Sequence, residues 1–196
     1  MASYINILES SGARTVPLIY DKPDQLKKID SLNGVFYCGG GAGGEYDVFG
    51  RQVYDFVKDK NDAGEYLPIW GTCLGFENLA MFASDDNATV LIGGLQSDDE
   101  NYVLEYTVDP TKSRLFGPMS NYSQIFAQKA IAYNHHSFGV APSRFATDKG
   151  LASIFSPVAI SHDNEGNYQS VSDVRYTFCG SNGEQGLSVL WGLVPS

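Results

Sequence analysis

Residues Leu67-Pro68-Ile69-Trp70-Gly71-Thr72-Cys73-Leu74-Gly75-Phe76-Glu77 constrain the fold of this chain more than any other stretch. Residues with strand character run into Gly-x-Cys-x-Gly, and a helix-compatible run from Phe76 to Phe82 follows at once. The pattern predicts a strand, a sharp turn with a cysteine at its apex, and a helix. A turn that tight leaves no room for side chains beside the apex, which suits Gly71 and Gly75. The Cys73 thiol then sits at a helix N-terminus, where partial positive charge is expected to favour thiolate over thiol. The backbone N–H of Leu74 would face an oxyanion formed when that thiolate attacks a carbonyl. A buried structural cysteine between two turn glycines is the plainer alternative, and the flanking strand and helix favour a nucleophile.

A chain of 196 residues can bury one sizeable core, and no linker divides it, so a single domain over 1–196 is expected. Hydrophobic residues make up 43% and charged residues 18%, ordinary values for a globular domain. The formal net charge of −10, with no basic stripe, argues against nucleic acid and anionic membrane surfaces as partners. No apolar run approaches the ~20 residues of a membrane span. Met1-Ala2-Ser3 leads straight into Tyr4-Ile5-Asn6-Ile7 without the basic start and apolar segment of a signal peptide. Three cysteines, Cys38, Cys73 and Cys179, make no disulfide framework, and none has zinc-ligand spacing, so neither a metal nor another cofactor is expected. Two tripeptides, Asn87-Ala88-Thr89 and Asn121-Tyr122-Ser123, fit glycosylation acceptors and point weakly to a secretory origin.

Along the chain, Tyr4 to Ser11 has helical spacing and Gly12 suits its stop. Thr15 to Tyr20 reads as a short edge strand, and Pro23 opens a small helix through Leu26 and Ile29. Gly34 to Cys38 is an apolar strand entering the glycine loop 39–44, and a helical stripe from Val48 to Val57 follows. Strand, helix, strand, helix in this order predicts an α/β fold with a mostly parallel central sheet flanked by helices. The second half is richer in strand signals: Ala88 to Ile92, Tyr102 to Val108, Phe155 to Ile160 and Ser170 to Phe178, the last preceded by a turn at Asp163-Asn164-Glu165-Gly166. Asn121 to Lys129 and Ser143 to Leu151 read as short helices. The glycine loop lacks the Lys-Ser/Thr of a phosphate cradle, and it is better suited to offer a second oxyanion donor beside Cys73.

Several of these segments together resemble the gamma-glutamyl hydrolases, a branch of the class I glutamine amidotransferase-like superfamily. The matching pieces are Ser3-Tyr4 with Leu8 to Arg14, Leu32-Asn33-Gly34-Val35-Phe36, Gly39-Gly40, Pro68 to Glu77, and Asn134-His135-His136-Ser137-Phe138. The resemblance implies a flavodoxin-like three-layer sandwich and a cysteine hydrolase that removes glutamate from folyl poly-γ-glutamates. Cys73 would attack the γ-amide carbonyl, giving a γ-glutamyl thioester that water hydrolyses. Leu74 and Gly40 would supply the oxyanion N–H groups, with Gly39 and Gly41 beside them. His136 matches the family's substrate-site histidine, and Glu77 sits where its carboxylate could receive the substrate's α-amino group. The resemblance further implies a lysosomal, vacuolar or extracellular setting and allows a homodimer.

Two departures from the family pattern stand out. The family's first core strand has no counterpart ahead of Ser3. After Gly180, where the family carries a Gly-Val-Gln-Trp-His-Pro-Glu type segment with the general-base histidine, this chain reads Ser181-Asn182-Gly183-Glu184-Gln185-Gly186, so that histidine is absent. The only histidines are His135, His136 and His162. His135 and His162 are expected to be ordinary hydrogen-bonded surface groups. The alternatives to an active hydrolase are a catalytically impaired relative, a splice or gene-model variant, and, less favoured, the glutaminase part of an amidotransferase. Arg51, Lys112 and Arg144 are basic candidates for the substrate's carboxylates.

Overall fold

The computed structural model describes residues 2–113 and 115–174. Helix α1 (Ala2–Ser10) ends at Gly12, whose φ of 89° lets the Gly12 N–H reach Glu9 O and the Ala13 N–H reach Leu8 O. A five-residue helix α2 (Gln25–Ile29) precedes strand β1 (Val35–Tyr37). Helix α3 (Glu45–Asp62) connects β1 to β2 (Ile69–Gly71), and the two strands pair in parallel with Tyr37 opposite Gly71. That is one βαβ unit, as the alternation of strand and helix signals predicts. Helix α4 (Leu74–Ala83) follows β2 directly.

The remaining strands pair antiparallel. β3 (Leu91–Tyr102) lies against β5 (Ala132–Val140), while β6 (Phe155–His162) lies between β4 (Glu105–Tyr106) and β7 (Tyr168–Val174). Between them run α5 (Ser120–Gln128), α6 (Arg144–Thr147) and α7 (Lys149–Ile154). Mixed α/β architecture therefore holds, but among the described residues β1–β2 is the one parallel pair and the sheets are small. Short connections explain this: the Asp163–Gly166 turn can join β6 to β7 only as a hairpin.

Other expectations need correction. Thr15 to Tyr20 is not a strand; Val16, Ile19 and Tyr20 are 47%, 43% and 48% exposed, and the Ile19 N–H donates to the Gln25 side chain. Ala88 to Val90 forms a turn of 3₁₀ helix before β3 starts, and the 102–108 signal shrinks to two paired residues. The 143–151 helix is two helices, broken at Asp148, whose carboxylate caps α7 through the Leu151 N–H. β5, carrying His135 and His136, was not signalled as a strand at all. Cys179, the last residues of the 170–178 signal and the tail 181–196 lie outside the described residues.

The core centres on α4. Phe76, Leu79 and Ala80 are fully buried, and the helix packs against β1, β2, β3, β5, α3 and α7. A helix buried on most of its faces belongs in the middle of a domain. Asn61, also fully buried, fixes the approach to β2: its Nδ2 donates to Val57 O and Leu67 O, each at 2.8 Å, and its Oδ1 accepts from the Leu67 N–H at 3.1 Å. No described helix is long and apolar enough to cross a membrane.

Candidate functional site

Cys73 stands between the end of β2 and the start of α4 with φ 56° and ψ −122°. Positive φ is costly for a residue with a Cβ and persists only where the surroundings enforce it. Here they do so through the two glycines. A methyl group at Gly71 would lie 2.6 Å from Gly75 O, and one at Gly75 would lie 2.2 Å from Tyr37 O. Strand β1 is thus pressed directly against the elbow. The Gly75 N–H donates to Thr72 O and the Phe76 and Glu77 N–H groups to Cys73 O, so the chain turns into helix at once.

The glycine loop meets the elbow from the β1 side. A methyl group at Gly39 would lie 2.9 Å from Cys73 Cβ, 3.2 Å from Thr72 O and 2.3 Å from Tyr4 Oη. The N–H groups of Leu74 and Gly40 both act on the Cys73 sulfur, drawing its pKa down. Two amides from different segments thus converge on the sulfur, and they are the two that the sequence nominates as oxyanion donors. Gly41 has open space about it and makes no such approach.

The electrostatics differ from the expectation of a ready thiolate. Burial pushes the Cys73 thiol up, and the Glu77 carboxylate one turn away adds to that; the Leu74 and Gly40 amides oppose both without overcoming them. Glu77 is itself 9% exposed, and burial raises its pKa above the usual carboxylate range. Burial likewise pushes the Cys38 thiol up.

His136 lies on β5, opposite Ser97 of β3 in a sheet that packs on α4. Its Nδ1 pairs with Phe138 O at 2.9 Å and its Nε2 stands 3.1 Å from Asn134 Oδ1, while Asn134 Nδ2 donates to Ala132 O. Burial lowers its pKa to about 4, so the ring is neutral at pH 7, and its single N–H can donate to only one of these two acceptor oxygens. His135 pairs with Asp98 and Asp99 at 2.8 and 3.4 Å, and His162 with Glu105 at 2.6 Å; the five residues sit on β3, β4, β5 and β6. Of the basic candidates, Arg51 is held by Asp55 and Asp86 at 2.9 and 3.0 Å.

No family model matches the chain. Curated proteins do. It is 33% identical over 175 residues to a probable gamma-glutamyl hydrolase 3 of Arabidopsis thaliana, a match covering 84% of this chain and 47% of that protein. It is 30% identical over 175 residues to the gamma-glutamyl hydrolase of Rattus norvegicus, covering 86% and 54%, and 29% identical over 174 residues to gamma-glutamyl hydrolase B of Dictyostelium discoideum, covering 85% and 50%. Over most of its length the chain is similar to gamma-glutamyl hydrolases. It spans about half the length of the curated relatives it matches.

The sequence nominates Cys73, Leu74, Gly39 and Gly40, and the structure brings these four together. It did not assign roles to Tyr4 or Asp47, which touch the glycine loop from α1 and α3. The one available signal for Tyr4 was its presence in the family-like opening segment. A contact between residues 35 positions apart has no local pattern to announce it.

Proposed function

We propose that this chain is a cysteine hydrolase acting on the γ-glutamyl bonds of folyl poly-γ-glutamates, organised as one domain of the class I glutamine amidotransferase-like type with β1 and β2 at its parallel centre. The observation that carries the reading is Cys73 at φ 56° with the Leu74 and Gly40 amides turned on its sulfur. In this mechanism the Cys73 sulfur attacks the γ-carbonyl carbon and the C=O electron pair moves onto oxygen, between those two amides. Collapse of the tetrahedral adduct breaks the C–N bond, and the leaving nitrogen takes a proton. Water then attacks the thioester and releases the γ-glutamyl carboxylate and the thiol. Glu77, with its carboxyl near the elbow, would face the α-amino group; His136, Gly39 and Gly41 would line the substrate's approach. Similarity to relatives named gamma-glutamyl hydrolases supports the substrate class.

One observation favours a second reading, a relative that keeps the pocket with weak catalysis. Attack needs the thiol to lose its proton, yet burial holds the Cys73 thiol protonated, and the ring nitrogens of His136 stand against Phe138 O and Asn134 Oδ1 of its own strand. The deciding experiment is glutamate release from pteroylpentaglutamate by the purified chain, with Cys73→Ala as control. Release that falls at least about a thousandfold in the control is expected from loss of the nucleophile. Equal rates in both proteins would sink the hydrolase reading.

A further inference from the structure

The glycine loop is fastened at both ends, and the two fastening groups take no part in the chemistry above. At the near end, Gly39 is wedged against the Tyr4 hydroxyl: a methyl group there would lie 2.3 Å from Tyr4 Oη, and the Gly39 N–H acts on that oxygen. The Tyr4 ring is fixed in turn, packed on Phe36 with centroids 5.4 Å apart, and Phe36 stacks on Trp70 at 6.4 Å and 12°. At the far end, Asp47 Oδ2 accepts the Gly44 N–H at 3.1 Å, and Asp47 Oδ1 accepts from Asn78 Nδ2 at 3.2 Å. Asn78 is fully buried in α4, so this bond ties the loop to the helix that carries Cys73.

Between the two ties sits Gly40, at φ 147°, and methyl groups at Gly40 and Gly41 would meet nothing within 4 Å. A glycine segment with no packing of its own has many conformations open to it, and an oxyanion donor misplaced by 1 Å loses most of its effect. We propose that Tyr4 and Asp47 are positioning residues that clamp the two ends of the glycine loop and so hold the Gly40 N–H on Cys73. The inference rests on the oxyanion role given to Gly40 above. Neither residue touches the reacting carbonyl; both act through the loop.

The test is the rate at which iodoacetamide alkylates Cys73 at pH 7.5, followed by mass spectrometry of the peptide that carries it. Tyr4→Phe keeps the ring packing and removes only the hydroxyl; Asp47→Asn keeps the shape and removes the charge. Each variant is expected to slow alkylation about fivefold, because the thiolate loses an aligned donor. Urea midpoints should stay at the wild-type value, and exposed Tyr122→Phe should alkylate like wild type. Because both residues hold one loop, the double variant should be little slower than the worse single one. In glutamate release, kcat should fall with KM unchanged. An unchanged alkylation rate in either variant overturns the role of that residue, as does a rate that falls only in step with lost stability. Wild-type protein that releases no glutamate would defeat the hydrolase reading, and the alkylation rates would still decide the clamp.

Discussion

At Cys73 three constraints meet in one residue: a positive φ, a half-buried sulfur and two amides aimed at it. The backbone geometry was legible from glycine spacing because sterics at a tight turn are local, and a Cβ at Gly71 or Gly75 has nowhere to go. The state of the thiol was not legible. A helix N-terminus can be read from sequence, but burial cannot, and burial is the larger influence on this sulfur. The same reasoning yields a sharp contrast between two glycines. Gly75→Ala drives a methyl group to 2.2 Å from the Tyr37 carbonyl oxygen, backbone that cannot step aside, and is expected to cost about 3 kcal/mol or more in urea unfolding. Gly41→Ala meets open space and should stay within about 0.5 kcal/mol of wild type.

Among the elements, those whose signal is local came through and those defined by partners did not. The β1–α3–β2–α4 run follows from strand and helix patterns joined by glycines, each of which is self-contained. Thr15 to Tyr20 has strand-like residues but no strand beside it, and its Ile19 amide goes to a side chain. β5 shows the converse: Ala132 and Asn134 face inward, yet a buried asparagine and Gly139 break the apolar alternation by which a strand is recognised. What aims β2 at the elbow is a side chain the pattern also passes over. Asn61 ends α3 and holds Leu67 by both its carbonyl and its N–H. Asn61→Ala strips partners from three buried backbone groups and should destabilise the protein by about 2–4 kcal/mol. Asn61→Asp keeps the acceptor for the Leu67 N–H but brings a charge into the core and faces two carbonyl oxygens with it. It should therefore be no better tolerated than alanine, an ordering that urea midpoints would check.

Across the whole molecule, a buried carboxyl on the central helix and a half-buried histidine on β5 are tuned in opposite directions, and stability must respond to both. His136 has its pKa lowered from the ordinary value to about 4. Between about 6.5 and 4 the unfolded chain binds a proton there that the folded chain does not, so stability rises with pH across that window and is lost as pH falls. Glu77 has its pKa raised by burial. Its contribution is full below the unfolded value of about 4.3 and is lost as pH rises through the folded value, the opposite slope. In the wild-type protein the two slopes oppose each other above about pH 4.3, so the urea midpoint there changes with pH less than His136 alone would make it. Removing either group should uncover the other. Glu77→Gln leaves the histidine alone, so the midpoint should climb with pH across this window; the full swing amounts to no more than about 3 kcal/mol at 1.36 kcal/mol per pKa unit. His136→Gln leaves the carboxyl alone, so the midpoint should decline as pH rises. Parallel profiles in wild type and both variants would mean that neither group titrates differently in the folded state.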